Sequence, residues 1–403
     1  MPDPNTTDRP QAYPPEQPQP TPSVRSLKEL MDLVSGKSVA TEQPQQESGL
    51  AEALPFPFLG LVGQTEMKLA LLLSVINPLV GGVLLVGPRG TGKTTAVRSL
   101  LNLLPDIERS SCFYGCLPED VEAGGIDAVC PDCSRKFAEG RSLVVKEPVR
   151  LVELPLNSRI EDVVGGLDER AVIHDRMRLK RGILAHADQN ILYVDEVNLL
   201  DDEIVDAILD AAALGTYTVR RGPITASYNA RFTLIGSMNP EEGRLRPQIL
   251  DRFGLRVIVR GLTEAQERLE AYRRTRAYRI QPRQFIQQYN QDTLIARDEV
   301  TYARGMLRQV EIPPPVAEAG IRLIQKLRID SLRAEITLFE AARALAAADS
   351  RTAVTLDDLR TVSPMALRLR RSPFMEDYFA ERKREDAQLY KFLHTLDPRL
   401  DSE

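Results

Sequence analysis

The run from Gly87 to Thr94, GPRGTGKT, carries the spacing G-x-x-x-x-G-K-T, a pattern whose chemistry is the grip of a polyphosphate. Gly87, Gly90 and Gly92 let backbone N–H groups turn into a concavity, and the helix that follows adds partial positive charge at its start. Pro88, Arg89 and Thr91 fill the variable positions, and Thr95 extends the same binding segment. Lys93 is placed to reach the β- and γ-phosphates and Thr94 to ligate Mg²⁺. Further on, ILYVDEVN ends an apolar strand in two acids. Asp195 can hold Mg²⁺ through water, and Glu196 can orient and activate the attacking water. Many strands end in solvated acids, so this pair gains its meaning from the phosphate loop before it. FTLIGSMNP closes a third strand on Asn239, which suits a site beside the γ-phosphate and the lytic water. Its plainer role would be a turn-forming Asn before Pro240.

Four thiols form a second group. Cys112, Cys116, Cys130 and Cys133 read C-x3-C followed by CPDC, and they are all the cysteines of the chain. Thiolates this close fit a tetrahedral zinc site with Zn–S bonds near ~2.3 Å. Such a site has no open position, so the ion would pin a loop and take no part in catalysis. Metal-free reduced cysteines, or an iron–sulfur or redox-switch group, are the alternatives. His174, His186 and His394 are too scattered to make a metal site of their own.

To bring the phosphate loop, Asp195, Glu196 and Asn239 together, the strands that carry them must end on one edge. GVLLV at 82–86 runs straight into the loop, and TTAVRSLLNLL after it reads as a helix. LVEL at 151–154, ILYV at 191–194, FTLI at 232–235 and Val257–Val259 are further apolar strands with helical segments between. Short uninterrupted apolar strands alternating with helices predict a parallel sheet covered on both faces, whose strand tips share one edge. Glu66–Ile76 reads as a helix ahead of the first strand. After Arg260 the texture is helical, with a break at Pro313–Pro315 and helices over 321–327, 336–348 and 356–371. Thr355 ahead of Asp357 and Asp358 marks a capped start.

The expected organisation is a Pro/Gln-rich tail over 1–53, a nucleotide-binding core over 54–260, a helical linker and lid over 261–375, and a charged tail over 376–403. Within the first tail, Ser23–Val34 is either a transient amphipathic helix or a docking peptide. The 403 residues carry a net charge of −5 with both signs interspersed, which argues against nucleic acid as a partner. No apolar run approaches the roughly 20 residues of a membrane span. The N-terminus lacks the basic and apolar blocks of a secretory signal, so the expected location is cytoplasmic, where thiols stay reduced.

Phosphate loop, acid-ended strand and Asn-ended strand, in that order, are the signature of AAA+ ATPases. Gly63-Gln64 with EMKLALLLSVINPLVGG, GPRGTGKTTAVRSLLNLLPDI, ILYVDEVNLLDDEIVDAILDAA and GSMNPEEGRLRPQILDRFG resemble the I-subunit family of magnesium chelatase, from about Phe58 to Pro373. The resemblance implies an α/β fold: a five-stranded parallel αβα core with a small helical lid. It implies a hexameric ring with ATP and Mg²⁺ between subunits, and an arginine from the neighbour on the γ-phosphate. Arg252 is the candidate for that finger and Arg246 the runner-up, against a plainer reading of both as surface arginines among acids. SLRAE at 331–335 is similar to the family's LRGE segment, so Arg333 would be a second sensor acting from the same chain. Gly63 and Gln64 would lie near the adenine through backbone contacts. Residues 155–187 resemble the clade's extra insertion, expected on the partner-facing surface. Glu340 departs from relatives that carry a basic residue there. Implied partners are an integrin-like D subunit and a porphyrin-binding H subunit, and the implied activity is ATP-driven Mg²⁺ insertion into protoporphyrin IX for chlorophyll or bacteriochlorophyll synthesis. A MoxR-type or cobalt-chelatase-type remodelling ATPase with an integrin-domain partner is the alternative. A switch that binds ATP without turnover is a third reading, opposed by intact Lys93, Asp195, Glu196 and Asn239.

Overall fold

The computed structural model describes residues 54–167, 179–222, 224–243, 245–370, 384–389 and 391. The 1–53 tail with Ser23–Val34, His174 within the insertion and most of the 376–403 tail with His394 lie outside the described residues.

Helix α1 (Thr65–Ile76) leads to β1 (Val83–Val86), the phosphate loop and α2 (Lys93–Leu100). An excursion follows, in which β2 (Ile107–Ser110), short helices α3 (Pro118–Gly124) and α4 (Pro131–Ala138), and β3 (Val144–Glu147) succeed one another. The chain returns through β4 (Leu151–Leu154), then α5 (Ile160–Val164), β5 (Gly165–Leu167), β6 (Leu179–Arg181) and α6 (Ile183–Ala187). β7 (Ile191–Val194), α7 (Asp202–Leu214), the hairpin β8 (Thr216–Arg221)–β9 (Ile224–Asn229) and β10 (Thr233–Met238) come next. A short α8 (Pro247–Arg252) precedes β11 (Leu255–Ile258). The named elements beyond are helices: α9 (Ala265–Ile280), α10 (Pro282–Gln287), α11 (Asn290–Met306), α12 (Pro314–Lys326), α13 (Arg333–Ala348) and α14 (Leu356–Leu367).

Five strands pair in parallel in the order β11-β1-β10-β7-β4, the sheet the apolar runs predict. Every residue of β1 and β7 is buried. Alternation along the strand sends Val83 and Leu85 into one apolar cluster and Leu84 and Val86 into another, so both faces are covered. One cluster runs from α1 and α2 into α11–α14, and the other gathers α5–α8. The C-terminal helices dock on the first face and around the strand starts. Asn77, just ahead of β1, donates to the Glu340 backbone carbonyl (3.1 Å) and carboxylate (2.7 Å), and Arg370 pairs with Asp251 at 2.9 Å. The three prolines predicted as a break open a helix, with Pro314 in the first turn of α12, where its missing N–H costs no hydrogen bond. Three antiparallel pairs, β2–β3, β5–β6 and β8–β9, were not legible as strands. Their residues are mostly half-buried or exposed, so they lack the apolar run that marked the central sheet. Among the described residues, no helix is long and apolar enough to cross a membrane.

Candidate active site

β1, β10 and β7 are neighbours, and the phosphate loop, Asn239 and the Asp195–Glu196 pair follow their C-terminal ends. Parallel pairing thus assembles on one edge what the sequence holds far apart. Arg89 through Thr95, Asp195, Glu196, Ser237 and Asn239 line one cavity of about 250 Å³. Gly90 and Gly92 adopt φ 78° and 86°, and a Cβ at either would meet no atom within 4 Å, so the loop backbone borders open space. Lys93 is buried and donates from Nζ to the Gly87 and Pro88 carbonyls at 2.7 and 2.8 Å. Desolvation pushes its pKa below the usual lysine range, against the pull of the Asp195, Glu196 and Glu242 carboxylates.

Thr94 Oγ1 lies 3.1 Å from the Tyr193 hydroxyl, which donates to Asp195 Oδ1 at 2.9 Å. Ser237 also donates to Asp195 Oδ1, and its Oγ accepts the Glu196 N–H at 3.1 Å. Burial pushes the Tyr193 phenol up to about 12, so it stays protonated and serves as a fixed donor. A hydroxyl and a carboxylate facing one polar cavity are the oxygen donors that suit Mg²⁺. Glu196 takes a left-handed backbone, φ 51°, uncommon outside glycine. Its carboxylate accepts from Arg89 Nε at 3.1 Å and Nη2 at 2.9 Å, and Arg89 also reaches Glu242 at 2.7 Å. Asn239 is buried, its Oδ1 accepting from the Glu241 N–H at 3.3 Å. Tyr193, Ser237 and Glu242 were missed in the sequence. The first two read as ordinary strand residues, and only pairing between β7 and β10 gives them a target.

A larger cavity of about 860 Å³ shares Gly90, Thr91, Gly92 and Thr95 with the loop and extends between Leu61, Val62, Gln64, Arg268 and Tyr278. A nucleoside extending from the loop would lie here. Gln64 lines it while its side chain donates to the Arg260 carbonyl at 2.6 Å, and Gly63 precedes it with φ 60°. Phe56 and Tyr278, stacked edge to face at 5.2 Å, also border this cavity and carry no sequence signal for doing so.

The arginines stand elsewhere. Arg252 and Arg333 line a cleft with Gly81, Gly82, Thr233 and Gly254, residues at the starts of β1, β10 and β11. That is the opposite edge of the sheet, and at about 3.3 Å per strand residue β10 alone sets the edges roughly 15–20 Å apart. Arg333, expected at the γ-phosphate of its own chain, lies in this structure at the strand starts. Docking α13 at the strand starts leaves Arg333 against Asp251 at 3.3 Å, away from the phosphate loop. Arg252 pairs with Asp210 at 2.8 Å and Asp206 at 3.4 Å, while Arg246 stands just ahead of α8 and pairs with Asp202. Within one chain, neither meets the loop.

The four cysteines converge: their sulfurs all lie within 4.8 Å of one another, with Cys116 and Cys133 buried and Cys112 and Cys130 half-buried. They sit in the β2–β3 excursion, apart from the phosphate-loop cavity.

Comparison with known proteins agrees with this architecture. Residues 166–266 match the MCM P-loop domain and residues 318–391 the AAA lid domain. The chain is 42% identical to a magnesium-chelatase subunit ChlI homolog of Methanocaldococcus jannaschii, over 79% of this chain and 87% of that one. Identity to the magnesium-chelatase 38 kDa subunit of Rhodobacter capsulatus is 43%, over 84% and 95%. A crystal structure of a candidate ATPase from Cytophaga hutchinsonii shares the fold, with a TM-score of 0.50, 19% identity, and coverage of 78% of this chain and 84% of that one. The chain belongs to the magnesium-chelatase ChlI/BchI subunit family.

Proposed function

We propose that the chain is the ATP-hydrolysing motor subunit of a magnesium chelatase, driving Mg²⁺ insertion into protoporphyrin IX in chlorophyll or bacteriochlorophyll synthesis. The observation that carries this reading is the phosphate loop, Asp195, Glu196 and Asn239 gathered at one sheet edge, in a chain that covers 95% of a chelatase 38 kDa subunit. Loop N–H groups and Lys93 hold the β- and γ-phosphates. Thr94 and Asp195 hold Mg²⁺, which supplies charge neutralisation at those phosphates. Glu196 takes the proton of the attacking water once its carboxylate is free of Arg89, and Asn239 positions that water. Gly63 and Gln64 border the adenine.

Part of this reading concerns the assembly. With Arg252 at the edge opposite the phosphate loop, the finger acts from a neighbouring subunit in a hexameric ring, with Arg246 as the runner-up and Arg333 also acting across the interface. The division into a core over 54–260 and a lid over 261–375 belongs to the same proposal, as does a partner-facing role for 155–187. A cryo-EM-based reconstruction of the BchI–BchD complex of magnesium chelatase contains a relative 40% identical over 81% of this chain, with a TM-score of 0.45. Kinship in sequence supports a D-subunit partner, and an H subunit would carry the porphyrin and be remodelled by hydrolysis. A cytoplasmic location and a structural Zn²⁺ on the four cysteines complete the reading.

The test is Mg²⁺ insertion into protoporphyrin IX with this chain as the only I subunit beside D and H partners. ATP-dependent product that disappears with Lys93→Ala is expected. ATPase activity without insertion, where an authentic I subunit succeeds, would replace the chelatase reading with a general remodelling ATPase.

A further inference from the structure

The excursion from β2 to β3 is a poor folding unit by its apolar content. Its buried hydrophobic cluster consists of Cys116, Val121, Val129, Cys133 and Leu143, so two of its five members are cysteines. A two-stranded sheet with so small a core is marginal in water without a staple. The staple available is the thiol group. Cys112 and Cys116 stand on a tight turn after β2, Cys130 immediately precedes α4, and Cys133 lies in that helix's first turn. A tetrahedron of Zn–S bonds near ~2.3 Å places sulfurs ~3.8 Å apart. Cys130 Sγ lies 4.0 Å from Cys112 Sγ, and the whole set falls within 4.8 Å. Backbone donors already face the sulfurs: the Tyr114 N–H is 3.1 Å from Cys112 Sγ and the Cys130 N–H 3.4 Å from Cys116 Sγ. Such outer donors are what orient thiolates on a metal.

The turn between the first two cysteines does more than close on itself. The Cys112 carbonyl accepts from Arg181 Nη2 at 2.6 Å, and the Arg181 guanidinium lies over the Phe113 ring at 4.2 Å. Arg181 ends β6. The Gly115 carbonyl accepts from Asn229 Nδ2 at 2.9 Å and Arg231 Nη2 at 3.0 Å, while Phe113 and Tyr114 pack on Tyr228 at 5.7 and 5.9 Å. Tyr228 and Asn229 end β9. The five residues from Cys112 to Cys116 thus reach both the β5–β6 pair and the β8–β9 hairpin.

We propose that Cys112, Cys116, Cys130 and Cys133 bind one structural Zn²⁺, and that the metal-closed Cys112–Cys116 turn is the strut that fixes the β5–β6 and β8–β9 pairs against the ATPase core. The strut rests on the zinc reading of the cysteines and is independent of the motor's client. Binding the ion releases the thiol protons and involves no electron transfer.

The experiment uses the full chain, purified in thiol reductant without added metal. Metal analysis is expected to give one equivalent of zinc, released in step with titration of the four thiols by a mercurial. Hydrogen exchange before and after release should then show amides of 179–181 and 216–229 exchanging about tenfold faster or more, with β1 and β10 unchanged. Arg181→Ala should free β6 while zinc is retained, which separates docking from metal binding. Cys133→Ser should lose the zinc, and mercurial release from the native chain gives the same readout if that variant fails to fold. No metal, or iron with visible charge-transfer absorption, overturns the zinc assignment. Zinc whose release leaves both strand pairs equally protected overturns the strut alone.

Discussion

Arg89 occupies a variable position of the phosphate loop, yet it holds the carboxylate of the proposed base. Its guanidinium stands 2.9 Å from Glu196 and 2.7 Å from Glu242, and the Glu196 carboxylate raises the Arg89 pKa further, so the guanidinium keeps its charge. A base so engaged must be released before it can take a proton from water. The arginine is mostly exposed, so water screens the contact and it is a weak brake. Arg89→Ala should therefore raise basal ATPase turnover by no more than about fivefold, whereas Glu196→Gln should lower it by about 10²–10⁴-fold with nucleotide affinity retained. Steady-state kcat and KM for both variants decide the matter. A fall with Arg89→Ala would mean that the side chain serves the phosphates and does not restrain the base. The loop, the acid pair and Asn239 were legible because each lies in one contiguous run whose backbone chemistry is local. The Arg89–Glu196 contact and the Tyr193–Asp195–Ser237 bonds were not, because strand pairing creates them.

At the scale of elements, the start of α14 shows a local signal that survives into the fold. Thr355 Oγ1 accepts the Asp358 N–H at 3.3 Å, and Asp358 Oδ2 accepts the Thr355 N–H at 2.7 Å, a reciprocal cap of the kind the sequence around Thr355 predicts. Asp358 also accepts from both Arg351 Nη atoms, at 2.8 and 2.6 Å. Burial alone would raise its pKa, but the hydrogen bonds from Arg351 and Thr355 outweigh it and hold the carboxyl below the usual range. A depressed folded pKa contributes stability that is present above the unfolded value of about 3.9 and is lost as pH falls through the folded one. Asp358→Asn should thus cost about 1–2 kcal/mol at pH 7, and the gap to the parent should narrow below about pH 4. Thermal unfolding of both proteins across that range measures it. A gap independent of pH would assign the effect to packing, with no part for the Arg351 pair. The half-exposed hairpins had no comparable signal: Gly222-Pro223 marks a turn between β8 and β9, but the alternating polar runs beside it look like loop in a single sequence.

For the whole molecule, what matters is where the C-terminal helices dock. Similarity of SLRAE to a sensor segment told the residue type of Arg333 but not the edge of the sheet it would occupy. That edge is set by contacts between distant parts of the chain: Asp251 accepts from Ser331 Oγ at 2.9 Å and pairs with Arg370, and buried Arg256 donates to the Arg368 carbonyl at 3.0 Å. One chain therefore carries the phosphate loop at the strand ends and Arg252 with Arg333 at the strand starts. If Arg252 completes a neighbour's site, the two halves can be supplied by different subunits. Lys93→Ala removes the loop half and Arg252→Ala the finger half, the latter by about 10³–10⁵-fold in turnover. Each variant alone should be inactive, and Arg252→Ala should still bind nucleotide. In rings mixed at random in equal amounts, about a quarter of interfaces join an intact loop to an intact arginine, so turnover should recover toward roughly a quarter of the parent rate. Mixed assembly must be shown by tagged co-purification in the same sample. Recovery places Arg252 across the interface. Co-assembled rings that stay inactive would remove it from that role and transfer the same test to Arg246 and Arg333.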